Sequence, residues 1–126
     1  MKILTVANQK GGVGKSTFVT QLAYYLFLLG SRVIVLDHDP QAHSTKPIKK
    51  SGKAYITTFN TAEILRGDLK YLDGRIFVAG TSVNHNFALV PAHSDLTKLE
   101  SSKEFHNLFI GNLKHFIEQV KNQFDL

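Results

Sequence analysis

The chain has 126 residues, a formal net charge of +5 at pH 7 and no cysteine. This length suits one small domain, and the absence of thiols excludes disulfides, thiolate metal sites and cysteine nucleophiles from the segment. The longest apolar run, Leu22 to Leu29, is far too short to span a bilayer, and the first residues do not form a signal peptide. We therefore expect a cytoplasmic protein without a membrane partner, whose basic excess favours contact with polyanions.

The first predicted elements are a strand, a helix and a second strand. Lys2 to Asn8 predicts a short buried strand, and Ser16 to Leu29 predicts a helix because its apolar residues recur at helical spacing. Gly30 is the expected C-cap of that helix. Arg32 to Leu36 is a continuous apolar run, typical of a strand that is covered on both faces in a parallel sheet. Together these elements predict one βαβ unit with a right-handed crossover.

A glycine-rich segment joins the first strand to the helix, with the sequence Lys10-Gly11-Gly12-Val13-Gly14-Lys15-Ser16-Thr17. Its glycines let the backbone curl so that several N–H groups point into one anion-sized hollow. The helix N-terminus adds its partial positive charge to the same hollow. Lys15 can reach the β- and γ-phosphates of a nucleotide, and the Ser16 hydroxyl can take a Mg²⁺ ligand position. The alternative is a ligand-free turn, which would need neither the two lysines nor the Ser-Thr pair.

A second polar segment, Asp37-His38-Asp39-Pro40-Gln41, follows the second strand. It lies at the carboxyl end of that strand, the edge at which open α/β sheets bind ligands. Two carboxylates near a phosphate loop can bind Mg²⁺ through water and can orient an attacking water. A polar turn that merely ends a strand is the alternative, but the nearby phosphate loop favours a functional role. We expect His38 and His43 to be solvated loop residues rather than phosphate ligands.

The rest of the chain predicts further α/β elements. The one local lysine cluster, Lys46, Lys49, Lys50 and Lys53, falls in a segment that predicts a mobile, solvated loop in preference to a DNA-binding patch. The elements predicted next are, in chain order, a short helix at Thr61–Leu65, a turn at Asp73-Gly74, strands at Arg75–Ala79 and Phe87–Val90, a short helix at Asp95–Ser101 and a long amphipathic helix at Phe105–Phe124. The six histidines are dispersed without metal-ligand spacing.

Three of these segments carry a resemblance to a known superfamily. The phosphate loop K-G-G-V-G-K-S-T, which has Gln9 where the general pattern has glycine, resembles the deviant Walker A box of the ParA/MinD superfamily. The D-H-D-P-Q segment resembles the switch motif D-x-D-P-Q of its ParA branch, and Pro91-Ala92 lies in a segment similar to the family's strand-then-P-A motif. The resemblance implies an α/β fold of the P-loop NTPase type, with a parallel sheet flanked by helices.

The resemblance also implies a role for each residue of the two motifs. ATP with Mg²⁺ would lie on Gly11, Gly12, Val13, Gly14, Lys15, Ser16 and Thr17, with Thr17 bonding the α-phosphate and Ser16 ligating the metal. Lys10 would complete the site of the partner subunit in a nucleotide-sandwich homodimer. Asp39 would position the hydrolytic water, and Asp37 would assist near the Mg²⁺ shell.

The function implied is a plasmid or chromosome partition ATPase that works with a ParB-like activator and binds non-specific DNA through the complete protein. We expect residues 1–126 to be the N-terminal portion of a single such domain, because no apolar strand ending in Asp follows the long helix. Phe124-Asp125-Leu126 resembles the start of that strand, and the chain alone should hydrolyse ATP poorly. The alternatives are an ATP-dependent ligase of the cobyrinate-amidase or dethiobiotin-synthetase type, a MinD-like membrane-positioning protein and a non-hydrolysing truncated fragment.

Overall fold

The computed structural model of the chain describes residues 1–5, 15–67 and 86–126. The described helices and strands are, in chain order, α1 Lys15–Leu28, β1 Val33–Leu36, α2 Thr45–Ser51, β2 Tyr55–Ile56, α3 Thr61–Arg66, β3 Phe87–Val90, α4 Leu96–Glu100 and α5 His106–Val120. A single 3₁₀ turn, Lys103–Phe105, precedes α5. The described strands form one three-stranded parallel sheet in the order β1-β3-β2. The expected α/β fold, a parallel sheet flanked by helices, is confirmed.

Helices cover both faces of the sheet. Along β1 and β3 successive side chains point to opposite faces, so Ile34 and Val90 pack against α3 and α5, whereas Val33 and Leu89 pack against α1 and α2. Ala88, at the centre of β3, is fully buried. The continuous apolar runs of β1 and β3 thus have the burial that their sequences predict for strands covered on both sides.

The helix α1 confirms its predicted span but not the face that its periodicity suggested. It ends before Gly30, whose φ of 94° is left-handed, and the Gly30 N–H donates to Phe27 C=O. Three of the residues that defined the periodicity are exposed, namely Phe18, Tyr25 and Leu29. Ala23 is the side chain buried against the sheet. The reason is that α1 is apolar nearly all round, so its sequence does not single out one face.

The expected mobile loop at the lysine cluster is wrong, because Lys46, Lys49 and Lys50 lie on the helix α2. Ile48 is 1% exposed and anchors the helix in the core between α1 and the sheet. Gly52 ends the helix in a left-handed conformation with φ 67°, and its N–H donates to Lys49 C=O. Pro47 lies in the first turn, where its missing N–H costs no helical hydrogen bond. Two local signals, a buried isoleucine and a C-cap glycine, therefore outweigh the polar composition.

The N-terminal segment differs from the predicted strand in the part that the structure describes. Residues 1–5 are exposed and belong to no strand; the remainder of the predicted span, together with residues 10–14 and the predicted Asp73-Gly74 turn and Arg75–Ala79 strand, lies outside the described residues. The Lys2 N–H donates to Asp125 C=O at 2.8 Å, and the Asp125 N–H donates to Arg32 C=O at 2.7 Å. Residues 125 and 126 thus lie between β1 and residues 1–5.

Leu126 makes the hydrogen bonds of a parallel ladder with β1. Its N–H donates to Arg32 C=O at 3.2 Å, and its C=O accepts from the Ile34 N–H at 2.8 Å. This pattern places Leu126 opposite Val33 and extended alongside β1 on the edge that does not face β3. The predicted resemblance of residues 124–126 to the start of a further strand agrees with this position.

The helices α3 and α5 close the other face of the sheet. α3 begins with a complete capping box, since Asn60 Oδ1 accepts from the Glu63 N–H at 3.0 Å and Glu63 Oε1 accepts from the Asn60 N–H at 3.3 Å. Asn60 is therefore the N-cap of α3. The predicted amphipathic helix is confirmed over His106–Val120, and its apolar face buries Phe116 and Val120.

Candidate functional site

The candidate site lies where β1 and β3 end at the same edge of the sheet. Asp37 is the first residue after β1, and its N–H donates to Val90 C=O at 3.1 Å. Thr61, at the start of α3, donates its hydroxyl to Asp37 C=O at 2.7 Å and its N–H to Pro91 C=O at 3.0 Å. These bonds fix the backbone of Asp37 from both neighbouring elements. The predicted position of the two-carboxylate segment, at the carboxyl edge of a parallel sheet, is confirmed.

The Asp37 carboxylate organises the loop that follows it. Its Oδ1 accepts from the Asp39 N–H at 3.0 Å, and its Oδ2 accepts from both the N–H and the hydroxyl of Thr45, at 2.8 and 2.6 Å. The Thr45 hydroxyl in turn accepts from the Ala92 N–H at 3.0 Å. Asp37 is 5% exposed, and a carboxylate has about four acceptor positions. The bonds from the described residues thus leave one position on Oδ1 for a further donor.

Asp39 is the more accessible of the two carboxylates. Its Oδ1 accepts from the Gln41 N–H at 3.0 Å, and its Oδ2 lies 2.6 Å from His43 Nδ1, with 20% of the side chain exposed. Burial acts most strongly and raises the pKa of Asp39, but the Gln41 N–H and His43 together outweigh it, so the pKa lies below its ordinary value. Asp39 is therefore ionised at neutral pH and able to accept a proton or a hydrogen bond.

The two histidines of this loop differ from each other. His43 is the exposed partner of Asp39, with 52% of its side chain accessible. His38 is partly buried, and this burial lowers its pKa despite the opposite pull of the Asp37 charge. The expectation that both are solvated is therefore wrong for His38.

A strained residue turns the loop between Asp39 and α2. Ala42 has a φ of 59°, and its N–H donates to Asp39 C=O at 2.8 Å. A left-handed conformation costs a non-glycine residue about 1–3 kcal/mol and is retained only where the surroundings over-determine it. Here the turn brings Thr45 back onto Asp37 and His43 back onto Asp39. No sequence signal marked Ala42 or Thr45, because neither residue type is characteristic of such a turn.

The helix α1 begins with three residues of the predicted phosphate loop, and its N-terminal end lies toward this edge. α1 packs alongside β1 in the same core cluster, and only a short connection separates the end of α1 from the start of β1. The two elements therefore run in opposite directions, so the N-terminal end of α1 lies toward the edge that carries Asp37. Lys15, Ser16 and Thr17 form the first turn of α1, whereas Lys10, Gly11, Gly12, Val13 and Gly14 lie outside the described residues.

Residues 1–5, 15–67 and 86–126 contain no group of three or more His, Asp or Glu side chains that could hold a metal ion by themselves. Within the same part of the chain no helix is both long enough and apolar enough to cross a membrane.

Comparison with known proteins identifies relatives along the whole chain. Residues 1–126 match the family model AAA_31, described as an AAA domain. The chain is 30% identical to the "Putative replication protein A" of Rhizobium rhizogenes over 138 aligned positions, which cover 100% of the chain and 33% of the relative. No solved structure matches the chain.

Two further relatives have names that state a role in chromosome partitioning. The "Chromosome-partitioning ATPase Soj" of Thermus thermophilus is 37% identical over 93 residues, or 74% of the chain and 32% of the relative. The "Chromosome partitioning protein ParA" of Caulobacter vibrioides is 30% identical over 79% of the chain and 35% of the relative. The chain thus spans about a third of the length of these three relatives.

Proposed function

Because the chain belongs to the AAA_31 family of ParA/MinD-type AAA domains, we propose that it is the N-terminal, nucleotide-binding portion of a partition ATPase that uses ATP and Mg²⁺. The observation that carries this proposal is the position of Asp39. Its ionised, partly exposed carboxylate lies on a loop at the carboxyl edge of β1, the edge toward which the Lys15 end of α1 points. Relatives whose names state a partitioning role support the biological setting.

The phosphate groups would lie on the segment that precedes and begins α1. Gly11, Gly12 and Gly14 would allow close approach of the backbone, with Val13 between them, and Lys15 would neutralise charge on the β- and γ-phosphates. Ser16 would ligate Mg²⁺ and Thr17 would bond the α-phosphate. The metal, when bound with ATP, supplies charge neutralisation on the transferring phosphoryl group.

Asp37 and Asp39 would divide the remaining work. Asp37 has one acceptor position left on Oδ1, which fits a hydrogen bond from a Mg²⁺-bound water better than direct ligation, because direct ligation would compete with its bonds to Asp39 and Thr45. Asp39 would accept a hydrogen bond from the attacking water and so orient it, the role that an ionised and accessible carboxylate suits.

The wider assembly follows from the same proposal. Lys10 would reach the nucleotide of a second copy, so ATP would hold a homodimer together and hydrolysis would release it. A ParB-like activator and non-specific DNA would be the partners of the complete protein. Because the chain spans about a third of its relatives, efficient hydrolysis is proposed for a longer protein that also contains an acidic strand for Mg²⁺.

Substitution of Lys15 tests nucleotide binding directly. Lys15→Ala should weaken binding of a fluorescent, non-hydrolysable ATP analogue with Mg²⁺ at least tenfold, because it removes the positive charge that faces the β- and γ-phosphates. Lys98→Ala, an exposed lysine on α4, is the matched control and should bind like the unaltered chain. Retained binding in Lys15→Ala would refute the assignment of the phosphate site.

A further inference from the structure

The helix α2 carries a concentration of positive charge on its outer side. Lys46, Lys49 and Lys50 are spaced three and four residues apart, so they share one side of the helix, and Lys53 follows directly after the Gly52 cap. All four are exposed, whereas Ile48 points the other way and is buried. We call these four residues the α2 lysine face.

The backbone under this face is held in place at both ends. At the start of α2, Thr45 donates two hydrogen bonds to Asp37 Oδ2, at 2.8 and 2.6 Å. At its end, the Ser51 hydroxyl donates to Ile48 C=O at 2.6 Å and the Gly52 N–H donates to Lys49 C=O. The lysines thus project from an ordered helix, and a ligand would order only their side chains on binding.

No acidic side chain offsets this charge within the segment. Between Pro40 and Ala62 the sequence contains no Asp or Glu. Across the described residues, none of these four lysines lies within ion-pair distance of a carboxylate. Lys121, on the other side of the sheet, differs from them because it pairs with Glu118. An uncompensated array of exposed cations attracts polyanions at a distance and binds them by releasing counterions.

We propose that the α2 lysine face binds the phosphate backbone of nucleic acid. At 1.5 Å of rise per residue, Lys46 and Lys50 are separated by about 6 Å along the axis of α2, comparable to about two base-pair steps of 3.4 Å. Lysine ammonium groups act as point charges that contact phosphates without reading sequence. The face therefore fits sequence-independent binding to a duplex.

The other polyanions fit α2 less well. A helix that binds an anionic membrane also inserts large apolar side chains, but Ile48, the only large apolar residue of α2, is buried in the core. An acidic protein partner is typically recognised through arginine forks, and α2 contains no arginine.

The lysine face adjoins the candidate nucleotide site, because Lys46 follows Thr45, which is bonded to Asp37. This inference deepens the partition function proposed above and rests on it for its biological setting. The contact with nucleic acid itself requires no nucleotide. Duplex binding can therefore be measured without ATP, and binding of the ATP analogue can be measured without DNA. The two proposals can thus fail separately.

The test is fluorescence anisotropy of a labelled duplex of roughly 30 base pairs with the whole chain, at salt concentrations from about 50 to 200 mM. The test variant carries Gln at all four positions of the lysine face. The control carries Gln at four exposed lysines elsewhere, Lys98, Lys103, Lys114 and Lys121, so both variants have the same net charge. We expect the test variant to bind at least tenfold more weakly than the control at the lowest salt. Its slope of log affinity against log salt should also be shallower by about 3 to 4.

Three outcomes would overturn the proposal. The first is an equal loss in both quadruple variants, which would assign binding to the overall charge of the molecule. The second is no duplex binding by the unaltered chain at the lowest salt. The third is lysine-face-dependent binding to vesicles containing phosphatidylserine with none to the duplex, which would assign the face to membranes.

A milder pair of variants covers the case in which the quadruple variant loses its helical circular dichroism. Lys49→Gln with Lys50→Gln should reduce the salt slope by about 2, whereas Lys98→Gln with Lys114→Gln should leave it within about 0.5. Equal slopes in the two double variants would contradict the proposal.

Discussion

The two faces of the sheet are covered in different ways. On one face, α5 is amphipathic and buries Phe116 and Val120, and α3 begins with a capping box. On the other face, α1 is apolar nearly all round and leaves Phe18 and Leu28 exposed. An amphipathic helix has one favourable orientation on a sheet, whereas an apolar helix has several. The difference shows that periodicity determines the orientation of a helix only where polar residues oppose the apolar ones.

The largest effect expected from this difference is on the free energy of unfolding. Phe116 is 2% exposed and meets the ring of Phe59 edge-on at 5.8 Å between centroids. Phe116→Ala should therefore lower the free energy of unfolding by about 3–5 kcal/mol, through lost burial and a cavity. On the other face Phe18 is 53% exposed, and Phe18→Ala should change it by at most about 0.5 kcal/mol.

Urea unfolding followed by circular dichroism measures both values. If Phe116→Ala unfolds the chain outright, Phe116→Leu, which leaves a smaller cavity, provides the comparison at about 1 kcal/mol. Similar losses at Phe116 and Phe18 would show that α1 is buried as deeply as α5, and the contrast between the faces would be wrong.

A smaller effect is expected from the starts of the helices. Asn60 caps α3 through its side chain, whereas Ser44, at the same position of α2, makes no side-chain cap bond. Asn60→Ala should cost about 1 kcal/mol of unfolding free energy, since it leaves the Glu63 N–H without its acceptor. Ser44→Ala should cost less than about 0.5 kcal/mol. Equal urea midpoints for Asn60→Ala and Ser44→Ala would show that the side-chain cap of α3 adds no stability that the start of α2 lacks.

Much of the fold was predictable because its local signals agree with its packing. The apolar runs at Val33–Leu36 and Phe87–Val90, the Asn60 cap and the apolar stripe of His106–Val120 each specify an element and its burial at once. The lysine-rich helix α2 was missed because one buried residue, Ile48, decides its structure. The strand predicted at Lys2 to Asn8 was wrong over residues 2–5, because pairing depends on a neighbour that local sequence does not show.

The candidate site was predictable to a lesser degree. The positions of Asp37 and Asp39 follow from the end of a parallel strand, and the structure agrees. Their different environments do not follow, because they depend on Thr45 and His43 returning to the loop through the left-handed Ala42. Contacts across a turn of this kind depend on backbone conformation rather than on residue type. The roles of Lys10 to Thr17 stay predictions.

The smallest effect concerns the residues that follow α1 and α5, the helices on the two faces of the sheet. α1 is followed by the exposed Leu29, whereas α5 is followed by the buried Phe124 and then by Asp125, which is paired with Arg32. The Arg32 guanidinium, 2.9 Å from Asp125 Oδ1, and the Arg32 N–H lower the pKa of that carboxyl to about 2. Because the folded pKa is depressed, the pair stabilises the fold above the ordinary carboxyl pKa of about 3.9. That contribution is lost as the pH falls through about 4 to 2.

Asp125→Asn should therefore lower the urea midpoint slightly at about pH 6, and the difference from the unaltered chain should shrink as the pH falls below about 4 and vanish only below the folded pKa of about 2. The pair is solvent-exposed, so the effect should also weaken with added salt. In an Arg32→Gln background the pH-dependent part of this difference should shrink but not vanish, because the guanidinium is gone while the residue-32 backbone N–H still donates to Asp125 Oδ2 at 2.8 Å. A pH-dependent difference that is undiminished in that background would mean that the guanidinium does not hold the Asp125 carboxylate. The end of α5 would then be fixed to the sheet by something other than this pair.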